Sequence, residues 1–436
     1  MLVVLVTFSC WPTKACAQAS NYEAAAIGGD AEAQFQLGLC YDRGNGVTKD
    51  AVKAVKWYRK SALQGNAKAI WNMADCYEYG EGGLEKNKDK ATKLYKLAFP
   101  GLATLAEQGD SDAQRYLGHC YYDGDGVTKD LAKAVEWYRK SAEQGNASAQ
   151  NNLGNCYYNG EGVTKDLAKA VEWYRKSAEQ GNADAQFRLG YCYDNGEGVT
   201  KDSAKAVELY RKSAEQGNAV AQSNLGYCYE NGEGVTKDLA KAVELYRKSA
   251  EQGNAVAQSN LGNCYYKCRK DAKYLKAVAQ VDWETYEKDA PIYYIVKKYS
   301  EKAVEWYWKA AEQGDAVAQY NLGECYYYGY GVTKDLAEAV EWYSKSAEQG
   351  DAVAQYSLGY CYDNGEGVTK DLAKAVEWYR KSAEQGDANA QNSLGYCYEN
   401  GYGVTKNLAK AVELYRKAAA QGNERAKNNL KRLGRK

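Results

Sequence analysis

A Cys-Tyr pair recurs ten times along this chain, at Cys40, Cys76, Cys120, Cys156, Cys192, Cys228, Cys264, Cys325, Cys361 and Cys397. Seven of the nine intervals are 36 residues long. The other two, 44 and 61, are longer and read as insertions in a regular array. A fixed period of roughly 20–50 residues marks a repeat architecture, in which no unit can hide its own apolar face and each must stack on its neighbours.

The unit that starts at Asn182 shows what one period encodes. Gly181 closes the preceding helix and Asn182 caps the next. Ala183–Asp194 is expected as helix A, and Gly196-Glu197-Gly198-Val199 as a tight turn. Asp202 then caps helix B, which ends at about Gln216 before Gly217. Ala206, Val207, Tyr210 and Ala214 fall on one face of helix B, so it is amphipathic and buries that face. With only 3 Pro in the chain, little interrupts such helices.

Units of the form Asn-Ala-x-Ala-Gln-x-x-Leu-Gly-x-Cys-Tyr, then Gly-x-Gly-Val-Thr-Lys-Asp, then Ala-Val-Glu-Trp-Tyr-Arg-Lys-Ser-Ala-Glu-Gln-Gly resemble the Sel-one-like repeat (SLR) family. The likeness spans Asp30 to Gly422 and recurs ten times, at 30–65, 66–109, 110–145, 146–181, 182–217, 218–253, 254–314, 315–350, 351–386 and 387–422. It implies an all-α fold, a right-handed superhelical solenoid of antiparallel helix pairs related to the tetratricopeptide repeat. It also implies a scaffold or adaptor that holds a protein or peptide in its concave groove, lined by helix A. Two units depart from the pattern. The second has Met73-Ala74 for Leu-Gly and Gly82-Gly83 for Gly-Val, and the seventh replaces its turn with the insertion 267–300.

Comparison of the units separates two arcs of helix A. Recurring types (Ala185, Gln186, Leu189, Gly190, Cys192, Tyr193) form a packing face, and varying types form the opposite arc, expected to be open. A stripe along that arc supplies the candidate partner-binding groove: Phe35, Trp71, Arg115, His119, Phe187, Tyr191, Tyr227, Tyr320, Glu324, Tyr327, Tyr356, Tyr360 and Tyr396. Aromatic side chains in rows among carboxylates and amides suit a peptide or a partner's helix. Scatter at unconstrained positions of a chain with 41 Tyr is the competing reading.

The ten-cysteine ladder is expected to be reduced and buried. Equivalent positions on stacked helices lie roughly 8–10 Å apart, whereas a disulfide needs Cα atoms within about 7 Å. SLR relatives rich in cysteine staple each hairpin with two cysteines, and this chain has one per unit. No metal or cofactor is expected, because CxxC is absent and a single His is present. His119 beside Cys120 suggests a catalytic dyad, but adjacent helical residues point 100° apart. Ser-x-x-Lys, as in the β-lactamases that some SLR proteins are described as, does not occur.

Equal counts of 57 basic and 57 acidic residues argue against a nucleic-acid partner. The expected state is a monomeric, non-enzymatic scaffold. The alternatives are an exported glycan- or peptidoglycan-binding module, since Tyr and Trp also stack on sugars, and a lactamase-like hydrolase. Residues 1–17, with an apolar run at Leu2–Val6 and Ala15-Cys16-Ala17 before Gln18, read as an export signal to the periplasm, cell envelope or outside, and 18–29 as a lead-in. Without that signal the chain stays cytoplasmic. Ala272–Tyr286 is expected to be helical, followed by a break at Pro291. That insertion reads as a docking element or as a lengthened hairpin shielding the groove. The stretch Leu97–Leu105 extends or splits helix B, with Pro100 starting a new turn, and 423–436 forms a polar capping helix.

Overall fold

The computed structural model describes residues 16–281 and 291–434. Among the described residues it holds 23 α-helices, one π-helical turn and no strand. The helices alternate as helix A and helix B in tandem repeats, an all-α solenoid. They divide into two compact units, one ending at Leu209 and the other starting at Tyr210.

The ends of the helices are set by local chemistry. Helix A of the fourth repeat runs Ala147–Asn159; the Asn146 side chain accepts from the Ala149 N–H at 3.0 Å, and Gly160 closes the helix at φ +79°. Helix B runs Leu167–Glu179 under Asp166, which accepts from the Lys169 N–H at 3.0 Å. In the fifth repeat helix A spans Ala183–Asn195, one residue longer than expected.

Each repeat centres on one tyrosine of helix B, such as Tyr174 in the first unit and Tyr379 in the second, both 1% exposed. The glycine of Leu-Gly makes room for that ring. A Cβ on Gly154 would stand 2.6 Å from Tyr174, and one on Gly359 2.7 Å from Tyr379. Polar side chains bolt the helices together. Ser177 donates to the Ala147 carbonyl at 2.7 Å, joining helix B to the start of helix A. Gln180 donates to Gln150 at 2.7 Å, and Gln150 in turn donates to the Ala142 carbonyl of the preceding helix at 3.1 Å. Neighbouring repeats also touch through the second glycine of Gly-x-Gly: a Cβ on Gly162 would lie 2.1 Å from the Leu131 carbonyl oxygen.

The ladder cysteines and Cys268 are all buried and free. Cys268 donates to the Cys264 carbonyl at 3.3 Å and does not bond to its sulfur.

Irregular segments depart from the expectations in informative ways. The lead-in is a full helix, Cys16–Ile27, with Ala19 and Ala26 buried. The 97–105 stretch extends helix B into one continuous helix, Lys88–Glu107, with Pro100 inside it and no new start. Ala98, Leu102 and Ala106 are 0–1% exposed there, and burial on that scale outweighs the ~3 kcal/mol that an interior proline costs. In the insertion, helix Ala272–Val281 lies back on the preceding repeat, where Arg247 donates to the Val281 carbonyl at 3.0 Å. The next helix starts after Pro291 and runs Ile292–Glu312, merging nine residues of insertion with helix B. Tyr286, the expected end of the inserted helix, and residues 1–15 of the expected export signal lie outside the described residues. The terminal helix Glu424–Arg432 buries Ala426 and Leu430 and turns its polar side outward.

Candidate binding surface

A buried tyrosine hydroxyl needs a hydrogen-bond partner, and helix A supplies it from the stripe whose types vary. The stripe has three positions per repeat. Where the third is acidic, it takes the hydroxyl: Tyr58 donates to Asp42 at 3.2 Å, Tyr246 to Glu230 at 2.9 Å, Tyr379 to Asp363 at 3.3 Å and Tyr415 to Glu399 at 2.8 Å. Where the third is tyrosine, the acceptor moves to the middle position. Tyr174 then donates to Asn155 at 2.8 Å, Tyr307 to Asn263 at 2.8 Å and Tyr343 to Glu324 at 2.6 Å. The third-position tyrosine is freed to reach the next repeat, as Tyr122 does to Glu161 at 2.6 Å and Tyr327 does to Glu366. In these seven repeats the variation therefore follows a rule with two settings and is not drift.

This rule corrects the expected groove. Its first position belongs to the packing: Phe35 is 0%, Trp71 8% and Arg115 7% exposed. Phe187, Tyr320 and Tyr356 are half-buried, and the rings of Tyr320 and Tyr356 each sit 5.8 Å from the helix-B tyrosine beside them. Side chains there fill the gap over that tyrosine, so the arc is not free of packing. Glu324 and Tyr327 are occupied by the hydrogen bonds above.

His119 is half-buried, edge-on to Tyr138 with centroids 5.4 Å apart, and its Nε2 lies 3.0 Å from Asn152 Nδ2. Burial, with the Arg115 charge adding to it, pushes its pKa down to about 3, so the ring is neutral. Burial pushes Cys120 up to about 12, and no hydrogen bond joins the two.

Four candidates remain open: Tyr191, Tyr227, Tyr360 and Tyr396, at 37%, 49%, 39% and 46% exposure. Each sits in the middle position of a repeat whose third position is acidic (Asp194, Glu230, Asp363, Glu399). They are released from acceptor duty, and Tyr360 and Tyr396, on adjacent repeats of the second unit, can offer aromatic surface to a ligand. The pairing of an aromatic middle with an acidic third residue was the signal in the sequence that separates these four from the rest. Tyr362, placed on the packing face, is half-buried against the core.

Among the described residues no group of His, Cys, Asp and Glu is arranged to hold a metal, and no helix is long and apolar enough to cross a membrane.

This architecture has known counterparts. No curated protein matches the chain. Among solved structures it is similar to c5321, a protective antigen of uropathogenic Escherichia coli displaying an SLR fold: 36% identity over 94% of this chain and 89% of that one, TM-score 0.42. A Sel1 repeat protein of Oxalobacter formigenes is 34% identical over 58% of this chain and 94% of its own, TM-score 0.49. Cysteine rich protein B of Helicobacter pylori is 32% identical over 31% of this chain and 97% of its own, TM-score 0.26. The Sel1 repeat model matches ten times: 31–66, 67–99, 111–146, 147–182, 183–218, 219–254, 296–315, 316–351, 352–387 and 388–423. With the repeat's capping, its Leu-Gly seat for a tyrosine and its turn all accounted for residue by residue, the chain belongs to the Sel1 repeat family.

Proposed function

We propose that this protein is a non-catalytic scaffold that binds a protein or peptide through its exposed helix-A tyrosines, above all Tyr360 and Tyr396 in the second unit. Membership of a family that commonly mediates protein–protein interaction supports the reading. The single observation that carries it is that these rings stay aromatic and exposed although the acidic third position has taken over the acceptor duty. The thiols support the absence of catalysis: burial pushes Cys156, Cys192, Cys325, Cys361 and Cys397 up to about 12, so each stays protonated near neutral pH.

The test uses the intact chain as bait beside Tyr360→Ala/Tyr396→Ala. A protein captured by the wild type should bind the double variant more weakly by about 1–4 kcal/mol, as for central aromatic anchors. Equal capture by both overturns the reading. Specific binding to a glycan array that the same variant abolishes assigns the rings to sugars instead. Stability separates the neighbours. Tyr360→Ala should stay within about 0.5 kcal/mol of wild type in chemical denaturation. Tyr356→Ala should cost about 1–3 kcal/mol, because its ring covers Tyr379.

Export through residues 1–17 is part of the same proposal, and amino-terminal sequencing of the mature chain checks it. An intact Met1 argues for a cytoplasmic scaffold.

A further inference from the structure

The first unit contains a cleft of about 640 Å³ walled by helix A of repeats one to three and by helix B of the second. Asp42, Asp75, Glu78, Asp123 and Asp125 line it with Arg43, Lys88 and Arg115, and Asp75, Asp123 and Asp125 form no ion pair. Asp75 has only a long hydrogen bond, 3.4 Å, from Tyr95. Burial, reinforced by the neighbouring carboxylates, pushes Asp75 and Asp125 up to about 6. Three carboxyl groups without an ion pair in one cleft leave a place for a further cation.

An independent observation points to an anion in the same place. Arg115 lines the cleft and is 7% exposed, yet its guanidinium has neither a hydrogen bond nor an ion pair; it lies over the Tyr116 ring, with Cζ 4.0 Å from the centroid. A guanidinium that lines a cleft without a protein acceptor can donate to an anionic group of a ligand there. A bare metal cation would leave Arg115 unpaired, and a simple anion would leave the carboxylates unpaired. A ligand carrying both charges a few ångströms apart satisfies the two together. The exposed ring of Tyr79, also lining the cleft, offers a face for the aliphatic stem between those charges.

We propose that this cleft binds the end of a peptide chain whose last residue is lysine or arginine, with its α-carboxylate on Arg115 and its cationic side chain among Asp75, Asp123 and Asp125. The volume suits a chain end, within the roughly 300–1,000 Å³ of small-ligand sites. The site shares no residue with the tyrosines of the second unit, so either reading can fail without the other.

The experiment is calorimetric titration of the full chain with three tripeptides: Ala-Ala-Lys as free acid, the same peptide as its C-terminal amide, and Ala-Ala-Ala as free acid. The free acid ending in lysine should bind, and each of the other two should be at least tenfold weaker. Arg115→Gln should bind the acid and the amide alike while still preferring lysine over alanine. Asp75→Asn/Asp125→Asn should do the reverse, losing the preference for lysine and keeping that for the acid. No binding of the lysine acid at millimolar concentration overturns the proposal. So does equal binding of acid and amide by the wild-type chain, a result that does not depend on any variant folding.

Discussion

Carboxylates on the same stripe of helix A meet opposite fates in the two units. In the second unit Glu230 receives Lys267 at 2.8 Å and Tyr274 at 2.6 Å, both supplied by the insertion. Burial works to raise Glu230, but these bonds and that from Tyr246 hold it below the usual carboxylate range. Glu399 is treated the same way by the terminal helix, whose Arg432 lies 2.7 Å away. In the first unit Asp75 has no such cation, and its pKa goes up to about 6. The repeat therefore places acidic groups at fixed points, and what surrounds the repeat decides whether they are spent inside the protein or left for something else. An insertion or a cap can close a site as easily as a ligand can fill one.

Three measurements break or sharpen that contrast. The largest effect tests what the units share. Gly154→Ala and Gly359→Ala each drive a methyl into a tyrosine ring, and each should cost about 1–3 kcal/mol in chemical denaturation. A large difference between them would mean that the two units do not use the same seat. Next, Lys267→Met leaves Glu230, whose side chain is only 13% exposed, without its cation. A loss of about 1–2 kcal/mol is expected, discounted for the half-exposed lysine. Lys88→Met beside the first-unit cleft should stay within about 0.5 kcal/mol. If Lys88→Met costs as much, the first-unit carboxylates are paired after all.

The smallest effect has the opposite sign. Asp75 and Asp125 hold their protons more tightly folded than unfolded, so each favours the folded state progressively more as pH falls through about 6 towards the unfolded value near 4. Asp75→Asn/Asp125→Asn should therefore raise stability at pH 7.5 by about 1 kcal/mol and flatten this part of the pH dependence, with the gain vanishing near pH 4. Melting temperatures across that range check it. A double variant that is less stable than wild type at pH 7.5 would refute the idea that these charges destabilise the folded state.

Most of the fold was legible because its signals are local and repeated. Asn182 before an apolar run, Gly196 after it and Cys-Tyr at every 36th position suffice to place helix A. Pro100 misled because proline's local preference was overridden by Ala98, Leu102 and Ala106, whose burial is a tertiary fact. The site was legible only in part. Sorting residues by whether they recur assumed that a residue which varies has no structural partner. Asn155, Glu324 and Asp363 show otherwise, since each takes a buried hydroxyl from a tyrosine 16 or 19 residues later. A variable residue can have a constant task when two positions share it. The cleft of the first unit could not be read from the pattern at all, because Arg115 and Asp75 come from different repeats and acquire their meaning only in space.

The fixed spans of the bonds between helices have a consequence for copy number. Gln180 reaches back 30 residues to Gln150, and Tyr343 reaches back 19 to Glu324. Across the insertion the same links span 55 residues, from Gln313 to Gln258, and 44, from Tyr307 to Asn263. Both have grown by 25 residues, the excess of the 61-residue interval over 36, and both still close. Because both kinds of link join a repeat to itself, duplicating or deleting a whole 36-residue period leaves each of them its proper partner. Such a gene can lengthen or shorten by unequal recombination and still encode a foldable chain, whereas a change of any other length has to be looped out at a turn, as this insertion is.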